Sequence, residues 1–280
     1  MIFEHEIPEG SKLYFGDSVK RKRYIEQVAS EVLYSEGFEE IVTPLFSYHQ
    51  DDSIADVKEL VRINDAKNNK MSVRADSTID VVRIITKRLG RNTAHRKWFY
   101  IQPIYRYPST EQYQVGAEII GESDLSVALN QSMEIFKRLE VAPLLQISNI
   151  AIPNKLSKIL DIPLDDFRHI NIQKFLVLDI EWVTKLVYLQ HPEDIDAVIE
   201  IVPEEIKEEL LKMKEMSAKI AYKNKVIAPL YYAKMLYYVE LFFRVIEGNE
   251  IHARGGRYVN DDVTSVGFAI YTDTLIEANK

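Results

Sequence analysis

Two neighbouring segments commit this chain to a sheet. Trp98 to Tyr105 is aromatic and β-branched, and in Tyr113 to Ile120 the residues Gln114, Gly116 and Glu118 alternate with largely apolar neighbours. Side chains on a strand alternate faces, so these three share one. Pro108-Ser109-Thr110-Glu111 between the segments has turn composition, and the two are expected to pair antiparallel. Further strands are expected at Glu40-Ile41-Val42-Thr43-Pro44, Val57 to Ile63, Lys70 to Val73, Leu144 to Ile150, Tyr237 to Ile246, Glu250 to Arg254 and Val266 to Ile270.

Helices punctuate that pattern. Asp17 or Ser18 can cap a first one, in which Tyr24, Val28, Val32 and Leu33 recur at helical spacing before Gly37 ends it. Asp76-Ser77-Thr78 caps a second, with the stripe Ile79, Val82, Ile85 and Leu89 and Gly90 beyond it. Ser123 caps a third over Asp124 to Leu139, and a last helix covers Tyr271 to Ala278. From about 153 to 225 the strand signal stops. Lys155 to Leu160, Ile172 to Leu189, Pro192 to Val202 and Pro203 to Lys223 read as successive helices with charged outer faces. The expected architecture is α+β: one domain over 1–280, an antiparallel sheet flanked by helices. Its core covers about 1–150 and 229–280, and about 153–225 is a helical insertion.

Composition narrows the chemistry. The chain has 280 residues, 46% apolar and 28% charged, enough for the core such a sheet needs. A net charge of -8 counts against a surface that grips nucleic acid throughout. There is no cysteine, which removes disulfides, thiolate nucleophiles and cysteine-bound zinc. The histidines His5, His49, His95, His169, His191 and His252 lack metal-ligand spacing, so no metal site is expected. Met1-Ile2-Phe3-Glu4-His5-Glu6 carries acids where a secretory signal carries bases, and no apolar run approaches the roughly 20 residues of a membrane helix, so a cytoplasmic protein is expected. Glu204 to Lys214 reads as a solvated helix face. Lys20-Arg21-Lys22-Arg23 reads either as a solvated face or as a docking patch for an acidic partner.

Five segments, in order, resemble the catalytic core of class II aminoacyl-tRNA synthetases, and specifically the histidyl enzymes. Gly37-Phe38-Glu39-Glu40-Ile41-Val42-Thr43-Pro44 resembles motif 1, the family's dimer interface, with Ser47 where an acid usually stands. Val73-Arg74-Ala75-Asp76-Ser77-Thr78, with Arg83 further on, resembles the family's Arg-Pro-Glu-Gly-Thr, whose acid receives the α-ammonium of the amino acid; here that acid is Asp76. Tyr100 to Arg106 and Gln112 to Gly121 resemble motif 2, with Arg106 at the position that holds ATP α-phosphate and a loop too short for the family's basic motif 2 loop. Gly255-Gly256-Arg257-Tyr258 is similar to the histidyl Gly-Gly-Arg-Tyr. Upstream, Ala233-Lys234-Met235-Leu236-Tyr237-Tyr238 is a degenerate partner of Arg-Gly-Leu-Asp-Tyr-Tyr, with Ala233 in place of the arginine, Lys234 beside it and Tyr238 aligned. Val266 to Leu275 resembles motif 3, with Asp273 for its glutamate and Thr274 for its arginine.

That last departure matters most. Losing one preorganised charge-stabilising group commonly costs roughly 3–4 kcal/mol of transition-state stabilisation. The resemblance therefore implies a synthetase fold without adenylation, and, with the chain ending at Lys280, no anticodon-binding domain. Such a chain resembles the regulatory subunits of ATP phosphoribosyltransferase. That implies no catalytic residues, no cofactor and no tRNA. It also implies a hetero-oligomer with the short-form catalytic subunit, which is activated by assembly and inhibited by histidine, and a self-dimer through the motif 1 region. A histidine-like pocket would comprise Asp76, Thr78, Gln114, Glu118, Tyr238 and Tyr258, with Arg106 as a residual phosphate position. The alternative is an amino-acid-activating synthetase-like ligase, which Arg106, Gln114 and Glu118 keep open.

Overall fold

The computed structural model of the protein describes residues 6–52, 54, 56–90, 92–169, 171–233, 237–260 and 262–277. Helix α1 (Asp17–Ser35) leads into β1 (Glu39–Glu40), and β2 (Phe46–Ser47), β3 (Arg62–Asn64) and β4 (Lys70–Val73) form a small sheet in the order β2-β4-β3. After α2 (Thr78–Arg83), a wider π-type turn over Ile84–Leu89 delivers the chain to β5 (Lys97–Arg106) and β6 (Thr110–Ile120). These are the predicted hairpin, paired without a slip from Lys97↔Ile119 to Arg106↔Thr110. Then come α3 (Leu125–Arg138), β7 (Leu144–Asn149), α4 (Ala151–Leu160), α5 (Leu164–Arg168), α6 (Ile172–Leu176), α7 (Glu181–Tyr188), α8 (Ile195–Ile199) and α9 (Glu204–Ala218). The chain returns through β8 (Lys225–Ile227), β9 (Tyr238–Glu247), β10 (Glu250–Asn260), β11 (Val263–Tyr271) and α10 (Thr272–Glu277).

The main sheet runs β1-β5-β6-β11-β10-β9-β7-β8. Its inner pairs are antiparallel, and the two outermost pairs, β1 with β5 and β7 with β8, are parallel. Its two faces do different jobs. Val115, Ala117, Phe243, Val245, Leu145, Ile147, Phe268 and Ile270 point into one apolar core with α1 and α3, and that core continues through Leu156, Phe167, Leu210 and Met213 of the helical segment. The opposite parity carries Gln114, Glu118, Tyr238, Arg254 and Tyr258, where a one-residue slip would exchange the two sets.

Several local expectations give way to tertiary contacts. Of the predicted Glu40-to-Pro44 strand only Glu40 is paired, with Glu39 before it; Ile41 adds one N–H bond to the Phe99 carbonyl at 2.8 Å. Val57–Glu59 is a 3-10 turn capped by Asp56, so the strand expected from Val57 starts at Arg62. Neither Asp17 nor Ser18 caps α1, since the Ser18 hydroxyl is taken by the Phe15 backbone; Gly37, at φ +79°, does end it. Asp124, not Ser123, caps α3 by accepting from Ser126 N–H at 3.0 Å. The single helix expected over Ile172 to Leu189 is two, broken where Asp179 takes a left-handed conformation at φ +51°. The end of the predicted C-terminal helix at Ala278 lies outside the described residues.

Both charged tracts bury one member. Lys22 is buried against Glu26 and lies over the Tyr113 ring, 4.1 Å from its centroid, while Arg23 and Lys20 stay exposed on Glu26 and Asp17. Glu209 is buried and accepts from Asn149 at 2.7 Å and Lys155 at 2.8 Å, tying α9 to β7 and α4. A buried carboxylate with two cationic or amide donors is satisfied, which is what lets it leave the solvent face.

Candidate functional site

All seven predicted positions meet in one cavity of about 230 Å³ on the open face of the sheet: Asp76, Thr78, Arg106, Gln114, Glu118, Tyr238 and Tyr258. The strands supply them by parity, and Asp76 and Thr78 arrive from the start of α2, which packs across β6 and β10. Asp76 is held twice. Its side chain accepts from Ile79 N–H at 3.3 Å and from the Tyr237 hydroxyl at 3.1 Å, while Gln50 clamps its backbone N–H and carbonyl at 2.7 and 2.9 Å. Gln114 donates to Ser77 at 3.1 Å, fixing its amide against the same turn.

Glu118 is the centre of the site. It is fully buried and accepts from the Tyr258 hydroxyl at 2.6 Å, with Tyr100 at 3.4 Å and Thr78 also bonded to it. Burial disfavours its charge and lifts its pKa from 4.5 to about 8, against the pull of those hydroxyls. Burial likewise lifts Asp76 from 3.8 to about 6. Two glycines make room for this carboxyl and its neighbours. A Cβ at Gly267 would stand 1.9 Å from Glu118 Oε2, and one at Gly116 would stand 2.1 Å from the Tyr100 ring.

A consequence for stability follows from linkage. Between pH 4.5 and about 8 the folded chain keeps a proton on Glu118 that the unfolded chain has lost. The stabilisation from this group is complete below the unfolded pKa and lost as pH rises through the folded one. Glu118→Gln keeps an acceptor for Tyr258 but cannot ionise. We expect the variant to gain on the wild type by a few kcal/mol, order of magnitude, as pH rises from about 5 to 9. Thermal melts across that range that stay parallel for the two proteins would remove the buried proton from Glu118.

The phosphate-side positions are otherwise engaged. Arg106 is paired with Glu59 at 2.7 Å. Asp273 accepts from the Tyr14 hydroxyl and from Tyr113 N–H, the latter at 2.8 Å, so it closes the fold. Thr274 does not line the cavity. Its hydroxyl donates to the Tyr271 carbonyl at 2.9 Å and meets the buried His252 ring at 2.8 Å.

Among the cavity residues that sequence reading did not assign to the site are Tyr100, Tyr237, Arg254 and Tyr271. For Arg254 the signal was present, since it shares strand parity with Gly256 and Tyr258 on β10. Tyr237 precedes β9, and nothing in its spacing marks it. Lys234, considered as a replacement for the arginine absent at Ala233, lies outside the described residues.

Comparison with known proteins bears on the family and the fold. The family described as histidyl-tRNA synthetase matches residues 15–176. An ATP phosphoribosyltransferase regulatory subunit of Wolinella succinogenes is 46% identical over 279 residues, spanning 99% of this chain and 96% of its own length. That of Helicobacter hepaticus is 40% identical over 279 residues, 99% of both chains. Among solved structures, an ATP phosphoribosyltransferase regulatory subunit/histidyl-tRNA synthetase from Bacillus halodurans superposes with a TM-score of 0.84 at 20% identity, over 100% of this chain and 84% of that one. A histidyl-tRNA synthetase from Nostoc superposes at 0.79 with 16% identity, over 99% of this chain and 75% of that one. At those identities the superpositions speak for the fold alone, whereas the near full-length relatives speak for the family: this chain belongs to the ATP phosphoribosyltransferase regulatory subunits, built on the histidyl-tRNA synthetase fold.

Proposed function

We propose that this chain is a non-catalytic subunit that assembles with the short catalytic chain of ATP phosphoribosyltransferase, activates it, and carries feedback by histidine in the first step of histidine biosynthesis, in the cytoplasm. The observation that carries the reading is the cavity itself. It keeps two carboxylates, Asp76 and Glu118, suited to the cationic groups of an amino acid, while the motif 3 position holds Thr274, bonded away from it. Arg106 is engaged by Glu59 and the motif 2 loop is reduced to a tight turn, which supports a reading without adenylation. A ligand that binds two assembly states unequally shifts the balance between them by that difference. Exposed Val42, Leu45, Phe46 and Tyr48 support self-pairing through the motif 1 region. The 153–225 segment, continuous with the core, belongs to the same single domain.

The test is phosphoribosyl-ATP formation by the short catalytic chain of the same organism, with and without this protein, then with added histidine. Strong activation reversed by histidine is the expected result; no activation by a demonstrated complex would leave a scaffold. Amino-acid-dependent pyrophosphate exchange with ATP, measured on the pure chain, addresses the ligase alternative. Turnover there would overturn the claim of silence.

A further inference from the structure

Beside the carboxylate cavity lies a second one of about 340 Å³, and the two share a wall made by Arg254 and Tyr238. Its chemistry is the reverse of its neighbour's. Arg168, Arg244 and Arg254 line it, with Tyr231 and Tyr232 and, among the described residues, no aspartate or glutamate. Arg244 is stacked on Tyr231, 3.8 Å from guanidinium to ring centroid, and donates to Gln146 at 2.8 Å, while its Nε is buried without a partner. Arg254, the residue common to both cavities, makes no ion pair among the described residues; its hydrogen bond is a long one, 3.5 Å to the Tyr271 hydroxyl. Arg244 and Arg254, half-buried among described residues that include no acid, are short of the anion that would normally offset their desolvation, whereas Arg168 is exposed.

The same cavity is lined by Ala233, the position where the resemblance to histidyl enzymes led one to expect an arginine. An arginine is therefore absent at Ala233 and present across the same cavity on β10, at Arg254. We propose that Arg254, backed by Arg244, is the anion-accepting end of the ligand site, so that the ligand is a zwitterion. Its cationic groups lie against Asp76 and Glu118 and its carboxylate crosses the shared wall to Arg254. This deepens the reading of the site as one for a free amino acid and rests on it. It excludes amines and alcohols of the same shape that lack a carboxylate. Arginine suits the task because its planar fork can hold both carboxylate oxygens at once.

The experiment is calorimetric titration of the full-length protein with histidine, with histidinol and with inorganic phosphate, for the wild type and for Arg254→Gln and Arg254→Lys. Activation of the catalytic chain is assayed in parallel. In the wild type, histidine is expected to bind about ten- to a hundredfold more tightly than histidinol, the worth of one charge-assisted contact. Arg254→Gln should collapse that difference, and Arg254→Lys should restore part of it. Equal binding of histidine and histidinol by the wild type would overturn the proposal without needing any variant to fold. So would discrimination that survives Arg254→Gln, phosphate that binds alongside histidine without competing, or no binding of the carboxylate-bearing probe at all. Failure of the regulatory reading is seen separately, as absence of activation when this chain is added to the catalytic one.

Discussion

Gly267→Ala is expected to lower amino-acid affinity more than a hundredfold and to cost about 2–3 kcal/mol of stability, the range of an overpacked core. The new methyl would fall 1.9 Å from Glu118 Oε2 and 2.7 Å from the Ala117 carbonyl. The carboxyl can swing away only by leaving the Tyr258 hydroxyl. The Ala117 carbonyl belongs to the β6 backbone beside β11 and can move only with the ladder. For a chain of this size the loss corresponds to a melting temperature lower by roughly 5–10 °C. A double-mutant cycle apportions the damage. Adding Glu118→Ala removes the closer obstacle, so the double variant should be more stable than the sum of the two single losses predicts. Strict additivity would place the strain entirely on the backbone, and an unchanged melt would mean that Gly267 is not packed as described.

Asp76→Asn separates charge from shape. Asparagine keeps Oδ1 for Ile79 N–H and can donate its amide NH2 to the Tyr237 hydroxyl, reversing that bond, so the start of α2 should hold. What disappears is the carboxylate we propose for the ligand's ammonium group, and we expect affinity to fall by about ten- to a hundredfold. The wild type should also lose affinity as pH drops below about 6, because burial has raised Asp76 to that value and a protonated acid must ionise before it can pair. The limiting slope from Asp76 is about tenfold per pH unit; the variant should lose this contribution and keep only the pH dependence that Glu118 supplies. Calorimetric titrations from about pH 5 to 8 decide it: an asparagine variant with wild-type affinity and wild-type pH dependence would move the ammonium group elsewhere in the cavity.

What could be read from the residues alone divides along physical lines. Gln114, Gly116 and Glu118 were placed on one face because alternation along a long strand is a local rule, and β6 obeys it over its whole length. The parallel edge partners β1 and β8 could not be read that way. They are two and three residues long, and their pairing depends on where β5 and β7 already lie. Helix boundaries failed where one side chain had a competing bond, as Ser18 did with Phe15. The break at Asp179 carries neither glycine nor proline, the usual marks of a stop. Burial of Lys22 and Glu209 was hidden for a related reason: a charge run looks solvated until its partners arrive from Tyr113, Asn149 and Lys155, far away in the chain. Arg254 is the reverse case, a position made legible by its shared parity with Gly256 and Tyr258 along β10.

The hydroxyls gathered on Glu118 come from three separate stretches, Thr78 on α2, Tyr100 on β5 and Tyr258 on β10. A charged carboxylate can accept from all three together, whereas its protonated form must donate from one oxygen and so turns one neighbour around. A protonated Glu118 and one ionised by the cation we propose thus prescribe different orientations for the same hydroxyls. Occupancy is in this way written into the hydrogen-bond polarity of a helix and two strands before any backbone atom has moved.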